Sequence, residues 1–452
     1  MKRWLGALIA VVLSCIPILL NRATSSALLR DTDTNVLLVT IRQRNAPLSW
    51  FLGDWPLLNH FYRPVSTLSF ELDNRLYGTN AAGYGLTNAL LCIVCVLLLF
   101  WFLRELTDKP AIAAAGTVLF ALQHVGLERW FDGPLFWLAM LTAVVGIYRH
   151  QLKFWNWLPA VLVLIFASDE IASSGGFGVG TIGWLPGRTA TVMTVFALAA
   201  MACYARYERL GARRKELAPT PLDPPATRMT KVDTVNRGGG ILWAILSLVC
   251  VALALASYEQ AVMLPAIMLA IAVTLHSNRY KVRWGWQAGF WALLVAYIIL
   301  RKAVIPSGVS GYQAQQFRHG PGVYISLLNY AMPFVTGITG FLSGLATSPL
   351  VLLTGPPYSF MLSVATNLTS FYQARRQWVL ALAGYGMSII AFLPMAWLKQ
   401  FPHYHYWPMA MRSLCTVMLL WVAYELVLIA WSPLTRQAPK RLDPAPGSLP
   451  HQ

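Results

Sequence analysis

The chain has 452 residues, 57% of them hydrophobic and 12% charged, with a mean hydropathy of +0.54 and a net charge of +17. Soluble domains carry about a quarter charged residues, so this composition excludes one. The charge excludes nucleic acid as a partner by its placement, because most of the 35 Lys and Arg gather in alternate connecting segments, as the positive-inside rule describes.

Apolar runs of about 15 to 25 residues recur along the chain, enough for a hydrocarbon core of about 30 Å. They lack the alternating polarity of a transmembrane barrel. Lys2 and Arg3 precede the first run, WLGALIAVVLSCIPILL, and place the start of the chain in the cytoplasm. No small-residue cleavage site follows, so the run reads as a retained anchor and not a signal peptide. Residues 21–86 form a long first outward loop. Its mixed polarity, with Trp50, Trp55, Phe61 and Tyr62, predicts short helices lying on the membrane surface.

Helices are predicted over 87–103, 111–124, 134–148, 157–168 and 189–204. A basic cytoplasmic loop over 205–238 follows, in which APTPLDPPAT blocks helix continuation. Its charge suits contact with anionic membrane lipids. Further helices fit 240–256, 261–275 and 286–302, followed by a second outward loop over 305–322. Pro349, Pro356 and Pro357 interrupt residues 323–374, which must cross an odd number of times to return QARRQW to the cytoplasm. The last helices cover 378–396 and 408–430, and the proline-rich tail 431–452 is predicted to be disordered. The reading is an all-α polytopic membrane protein with one domain over 1–430, about 12 transmembrane helices, and 14 as the alternative.

All six cysteines lie within apolar runs, and Cys92-x-x-Cys95 sits mid-helix without a second ligand pair, as packing residues do. The acids are distributed less evenly. Asp31 and Asp33 follow the first helix, Glu128 and Asp132 the third, Asp169 and Glu170 the fifth, and Glu259 occupies a tight turn. One acid at a helix end caps or solvates it. Acids at four outward ends point to one shared, water-accessible site. There a carboxylate can serve as general base, and others can hold substrate hydroxyls or a divalent cation. Arg63, Arg129, Arg188, Arg301, Lys302 and Arg318 on the same side are either snorkelling groups or ligands for a phosphate leaving group. His403 and His405 lack a third metal ligand nearby and read as interface or substrate contacts, so no metal site is assigned. Glu425 falls within the final helix, where a buried carboxyl needs a partner. The sequon at Asn367 lies on the cytoplasmic side and is discounted.

Five segments resemble membrane glycosyltransferases of the C-type (GT-C) fold, in particular bacterial relatives of the tetratricopeptide-bearing O-mannosyltransferases. They are FYRPVSTLSFELDNRLYGTNAAGYGLTNALL, LFALQHVGLERW with His124 and Glu128, GWLPGRTATVM with Trp184, Gly187 and Arg188, SYEQAVMLP with Glu259 and Pro265, and PHYHYWPM with Tyr404, Tyr406 and Pro408. The resemblance implies a polyprenyl-phosphate sugar donor and an extracytoplasmic acceptor, in a bacterial inner membrane. It makes Asp31 or Asp33 the catalytic base, with Glu128 and Glu259 lining the site and Arg63 and Arg188 on the donor. Asp169, Glu170, Arg318, His124 and Tyr404 complete the candidate set. This chain splits the family's adjacent acids as Asp31-Thr32-Asp33, inserts about 55 residues between the His-Glu and Gly-Arg elements, and has no tetratricopeptide region after the membrane domain. A transporter or flippase of an amphipathic substrate, and a non-catalytic scaffold, are the competing readings. Transporters gather polar groups near the midplane, whereas these acids sit at helix ends, which favours the enzyme.

Overall fold

Helices account for the regular structure of the described residues, which in the computed structural model are 2–150, 157–174, 180–217, 239–276, 282–331, 375–399 and 401–431. The predicted crossings within 332–374, the loop residues 218–238 and the tail from 432 onward lie outside them.

The first apolar run is broken at Cys15 into α1, Lys2–Ser14, and α2, Ile16–Leu20, with Pro17 in the first turn of α2. Ala7, Val11, Cys15 and Ile18 belong to the main core. Next come α3, Ala27–Arg30, α4, Thr32–Arg44, and α5, Pro64–Tyr77. The long helix α6 spans Ala81–Thr107, followed by α7, Pro110–Gln123, α8, Asp132–His150, and α9, Leu158–Ser174. The second half comprises α10, Arg188–Leu217, α11, Gly239–Leu255, α12, Leu264–His276, and α13, Trp284–Val304. It closes with the short α14, Gly311–Gln316, then α15, Pro321–Ala331, α16, Arg375–Phe392, and α17, Tyr406–Trp431.

Five described helices are long and apolar enough to cross a membrane: Ala81–Thr107, Arg188–Gly211, Trp284–Val304, Gln377–Trp397 and Pro402–Leu428. Five shorter apolar helices join them. Packing sorts these helices radially. The most apolar window of α10 is 83% buried and that of α13 only 17%. Accordingly α10 packs against α6, α11 and α12, while α13 exposes Val295, Ile298, Ile299 and Leu300. An exposed apolar face of this kind suits lipid and not water. Gly384 lets α16 approach α17, since a Cβ there would lie 2.9 Å from Met411 O.

Several predicted boundaries move because polar residues continue the helices. At the start of α6, the Asn80 side chain accepts from Ala82 N–H and caps the helix six residues before the predicted start. Helix α10 runs on to Leu217, where Arg206 and Arg209 pair with Glu105, and Arg209 also with Asp108, at the end of α6. Helix α9 continues to Ser174, so Asp169 and Glu170 lie inside it instead of after it; their side chains lie outside the described set.

The segment between α2 and α6 is also corrected. Its short helices pack on one another as a cap with its own core of Leu37, Leu38, Ile41, Trp50, Trp55, Phe70, Tyr84 and Leu185, so its aromatics do not serve as an interfacial row. Trp50, Trp55 and Tyr62 are buried. The Trp50 indole N–H donates to Glu71 Oε2 at 3.0 Å, and Trp55 meets Phe70 edge-on at 5.8 Å. Aromatic rings with a polar handle are as suited to a core that satisfies the handle as to an interface.

Candidate functional site

At the cap end of the bundle, segments from six parts of the chain form five walls around a cavity of about 210 Å3. Each segment is fixed by identifiable hydrogen bonds.

The first wall is α4, which presents Asp33 and Val36. Asp31 is its N-cap: Oδ2 accepts from Thr34 N–H at 3.3 Å and from the Trp184 indole N–H at 3.0 Å. The two aspartates therefore have different tasks. Asp31 closes the helix and holds Trp184, whereas Asp33 lies on the cavity. Burial, and then the neighbouring Asp31 carboxylate, push the Asp33 carboxyl above the ordinary aspartate range.

The second wall is the loop before α5. Asp54 organises it, Oδ1 accepting from Trp55 N–H and Phe61 N–H and Oδ2 from His60 N–H. With Leu58 and His60 held at positive φ of 53° and 61°, the loop turns Asn59, Phe61 and Arg63 to the cavity. The third wall is the Tyr258–Glu259 turn, bound to α5 by Val65 N–H to Ala256 O at 3.0 Å and Ser66 Oγ to Ser257 O at 2.8 Å. These bonds bring Arg63 onto Glu259, and its Nε and one terminal nitrogen donate to Glu259 Oε2 at 2.8 and 2.6 Å. The guanidinium also lies 4.1 Å from the Phe61 ring centre and 4.5 Å from that of Tyr258. Burial opposes the Arg63 charge, but Glu259, together with Tyr258 and Tyr404, more than offsets it and holds the guanidinium above its ordinary range.

The fourth wall is the turn into α10, with Trp184, Pro186 and Thr189. Gly187 is required there, since a Cβ would lie 1.7 Å from Gly180 O. The last wall combines Tyr312 of α14 with Phe401, His403 and Tyr404. Ser310 and Gln313 form a capping box and reach across to Asn59 O and His60 O at 3.1 and 3.2 Å. Gln260 Nε2 donates to both Ala391 O and Tyr404 O, tying the last wall to the third. Asn59 and His403 are 8% and 6% exposed, and neither Asn59 Oδ1 nor His403 Nδ1 has a hydrogen-bond partner.

Of the sequence candidates, the cavity brings together Asp33, Arg63 and Tyr404, with Asp31 and Glu259 directly behind its walls. Arg188 stands apart. It is fully buried, 2.7 Å from Asp73 Oδ2, and donates to Asn88 Oδ1 at 2.6 Å and Tyr84 O at 3.1 Å, stitching α10 to α5 and α6. His124 is buried in the bundle, where one tautomer donates from Nδ1 to Phe120 O and accepts at Nε2 from Tyr406 Oη, both at 2.9 Å. Glu128 is fully buried in the turn Leu127–Trp130, away from the cavity lining. Arg318 uses its backbone N–H on Trp397 O at 2.7 Å and does not line the cavity. Glu425 accepts from the Trp421 indole N–H one turn earlier. Among the described residues no group of three or more His, Cys, Asp or Glu is placed to hold a metal ion. Asn59 and Tyr312 carried no motif; the Ser310-x-x-Gln313 capping box was the one local signal near them.

No family model, curated protein or solved structure matches the chain.

Proposed function

We propose that the chain is a glycosyltransferase of the C-type kind, a bundle of about 12 membrane spans that moves a sugar from a polyprenyl-phosphate donor to an extracytoplasmic acceptor. Asp33 is the base. It takes the proton of an acceptor hydroxyl, whose oxygen attacks the anomeric carbon as the bond to phosphate breaks, with inversion and release of polyprenyl phosphate. The charge asymmetry of the loops supports a site facing away from the cytoplasm, and the resemblance to the bacterial enzymes supports a bacterial inner membrane.

The observation that carries this reading is the single cavity at which Asp33 meets residues from four of the five segments that resemble these enzymes: Arg63, Trp184, Tyr258 and Tyr404. Its volume lies below the roughly 300 Å3 at which pockets for drug-sized ligands begin, and so suits a single ring and not a whole lipid. The test is transfer by the purified, bilayer-reconstituted protein from radiolabelled polyprenyl-phosphate sugars to endogenous or added acceptors. Asp33→Asn is expected to abolish transfer and Asp31→Asn to leave a measurable residue. Transfer by Asp33→Asn at the unmodified rate would remove Asp33 from the chemistry.

A further inference from the structure

Arginine at a site that handles a phosphorylated lipid is naturally assigned to the phosphate. The geometry here points elsewhere. Among the described residues Arg63 is the only Lys or Arg lining the cavity, and its Nε and one terminal nitrogen donate to Glu259 Oε2 at 2.8 and 2.6 Å. The rings of Phe61 and Tyr258 lie against the guanidinium, with their centres 4.1 and 4.5 Å from its carbon. With Glu259 balancing Arg63, the remaining formal charge among the described lining residues is that of Asp33, so an anion entering the cavity meets a net negative wall.

What the cavity does offer is neutral. Among the described residues Asn59 Oδ1 and His403 Nδ1 are buried and without hydrogen-bond partners, and an unpaired buried polar atom is unfavourable until a ligand supplies the bond. An amide oxygen requires a donor from the ligand, while an imidazole nitrogen serves either role according to its tautomer. The same lining includes the aromatic rings of Trp55, Trp184, Tyr258 and Tyr312, a residue type against which the C–H face of a hydroxylated ring can pack. We propose that the cavity selects an uncharged, hydroxyl-bearing ring through Asn59 and His403, and that the Glu259–Arg63 pair excludes phosphate from it. The phosphate of a lipid-linked donor then lies outside this chamber, and Arg63 acts as a positioning residue. This rests on the sugar-handling reading of the site and deepens it.

Ligand-observed saturation-transfer NMR on the full chain in nanodiscs tests the proposal, with a panel of methyl hexosides and, separately, inorganic phosphate read by 31P line broadening. The unmodified protein is expected to give saturation transfer from at least one hexoside and no phosphate broadening that the hexoside displaces. Asn59→Ala, which leaves the ion pair intact, should weaken hexoside binding about tenfold or more and leave phosphate excluded. Glu259→Gln frees the Arg63 charge and should admit phosphate at the same site. Should Glu259→Gln fail to fold, Asn59→Ala and the unmodified protein still decide the matter. Phosphate competing with hexoside in the unmodified protein overturns the proposal, as does hexoside binding indifferent to Asn59 or no binding by any hexoside. Because none of these measurements needs turnover, hexoside binding without transfer would count against the enzyme reading alone, and transfer with phosphate in the cavity against the inference alone.

Discussion

Replacing Arg188 by methionine isolates the most heavily buried charge in the cap. The substitution keeps roughly the same length of side chain but leaves Asp73, 2% exposed and 2.7 Å from the lost guanidinium, as a buried carboxylate without its cation. It also strips Asn88 Oδ1 and Tyr84 O of a donor. Breaking a buried pair from one side costs about 3–5 kcal/mol. Adding Asp73→Asn removes the stranded charge and should return part of this, leaving the roughly 1–3 kcal/mol of an unsatisfied polar group. The loss also depends on pH with a definite sign. Burial already holds the Asp73 carboxyl above its usual range, with Arg188 pulling it back down, so removing Arg188 raises it further in the folded state. A carboxyl whose folded pKa exceeds the unfolded value of about 3.9 binds more protons folded, and stability falls as pH rises through the folded pKa. The deficit of Arg188→Met should therefore be larger at pH 8 than at pH 5. Reversible SDS unfolding in mixed micelles at both pH values, on the single and double variants, measures each of these quantities. A cost below about 1 kcal/mol, with no recovery from Asp73→Asn, refutes the structural role. Unchanged stability with lost transfer would move Arg188 to the substrate.

Three further outcomes are expected. Asp33→Asn should lower the transfer rate by about 10^2- to 10^4-fold, and the acid limb of kcat/KM in the unmodified enzyme should lie above the ordinary aspartate value of about 3.9, because the base must be ionised and its pKa is raised; a limb at or below that value counts against Asp33. Gly187→Ala forces a Cβ to within 1.7 Å of Gly180 O and should destabilise by more than the about 1–3 kcal/mol of ordinary overpacking, read as a lower thermal midpoint on fluorescence-detected gel filtration. Trp50→Phe keeps the ring but removes the donor to Glu71 Oε2, and should cost about 1–3 kcal/mol in the same unfolding assay.

The helices were legible because each apolar run is long and bounded by polar residues, and the ten predicted spans outside 323–374 that follow the first each find a helix in the structure. What misled was the assumption that a helix stops where its apolar run stops. Helix α10 extends past its apolar part because Arg206 and Arg209 find carboxylates on α6, a tertiary event that no window along the chain reports. The cap failed for the same reason: Trp50 and Trp55 carry the same composition whether they face lipid headgroups or one another. At the site, residue types were legible and their pairings were not. Arg63 and Glu259 were each singled out as ligands for substrate, yet 196 positions of sequence separate two residues that ligate each other. Asp73 was never singled out, although it determines what Arg188 can do. An N-cap such as Asp31 and a cavity residue such as Asp33, two positions apart, look alike as letters and differ only in geometry.

The order in which the chain leaves the ribosome gives the cavity one more property. Its walls come from Asp33 and Val36 at one extreme and Tyr404 at the other, so the cavity closes only after the chain between them has been made. A nascent chain halted at the end of α16 would hold Asp33 and Arg63 but lack His403 and Tyr404. Long-range closure of this kind is slow compared with forming a helix. It ties the appearance of a working site to the insertion of nearly every span, so that an incompletely threaded chain is also a chain with no chamber.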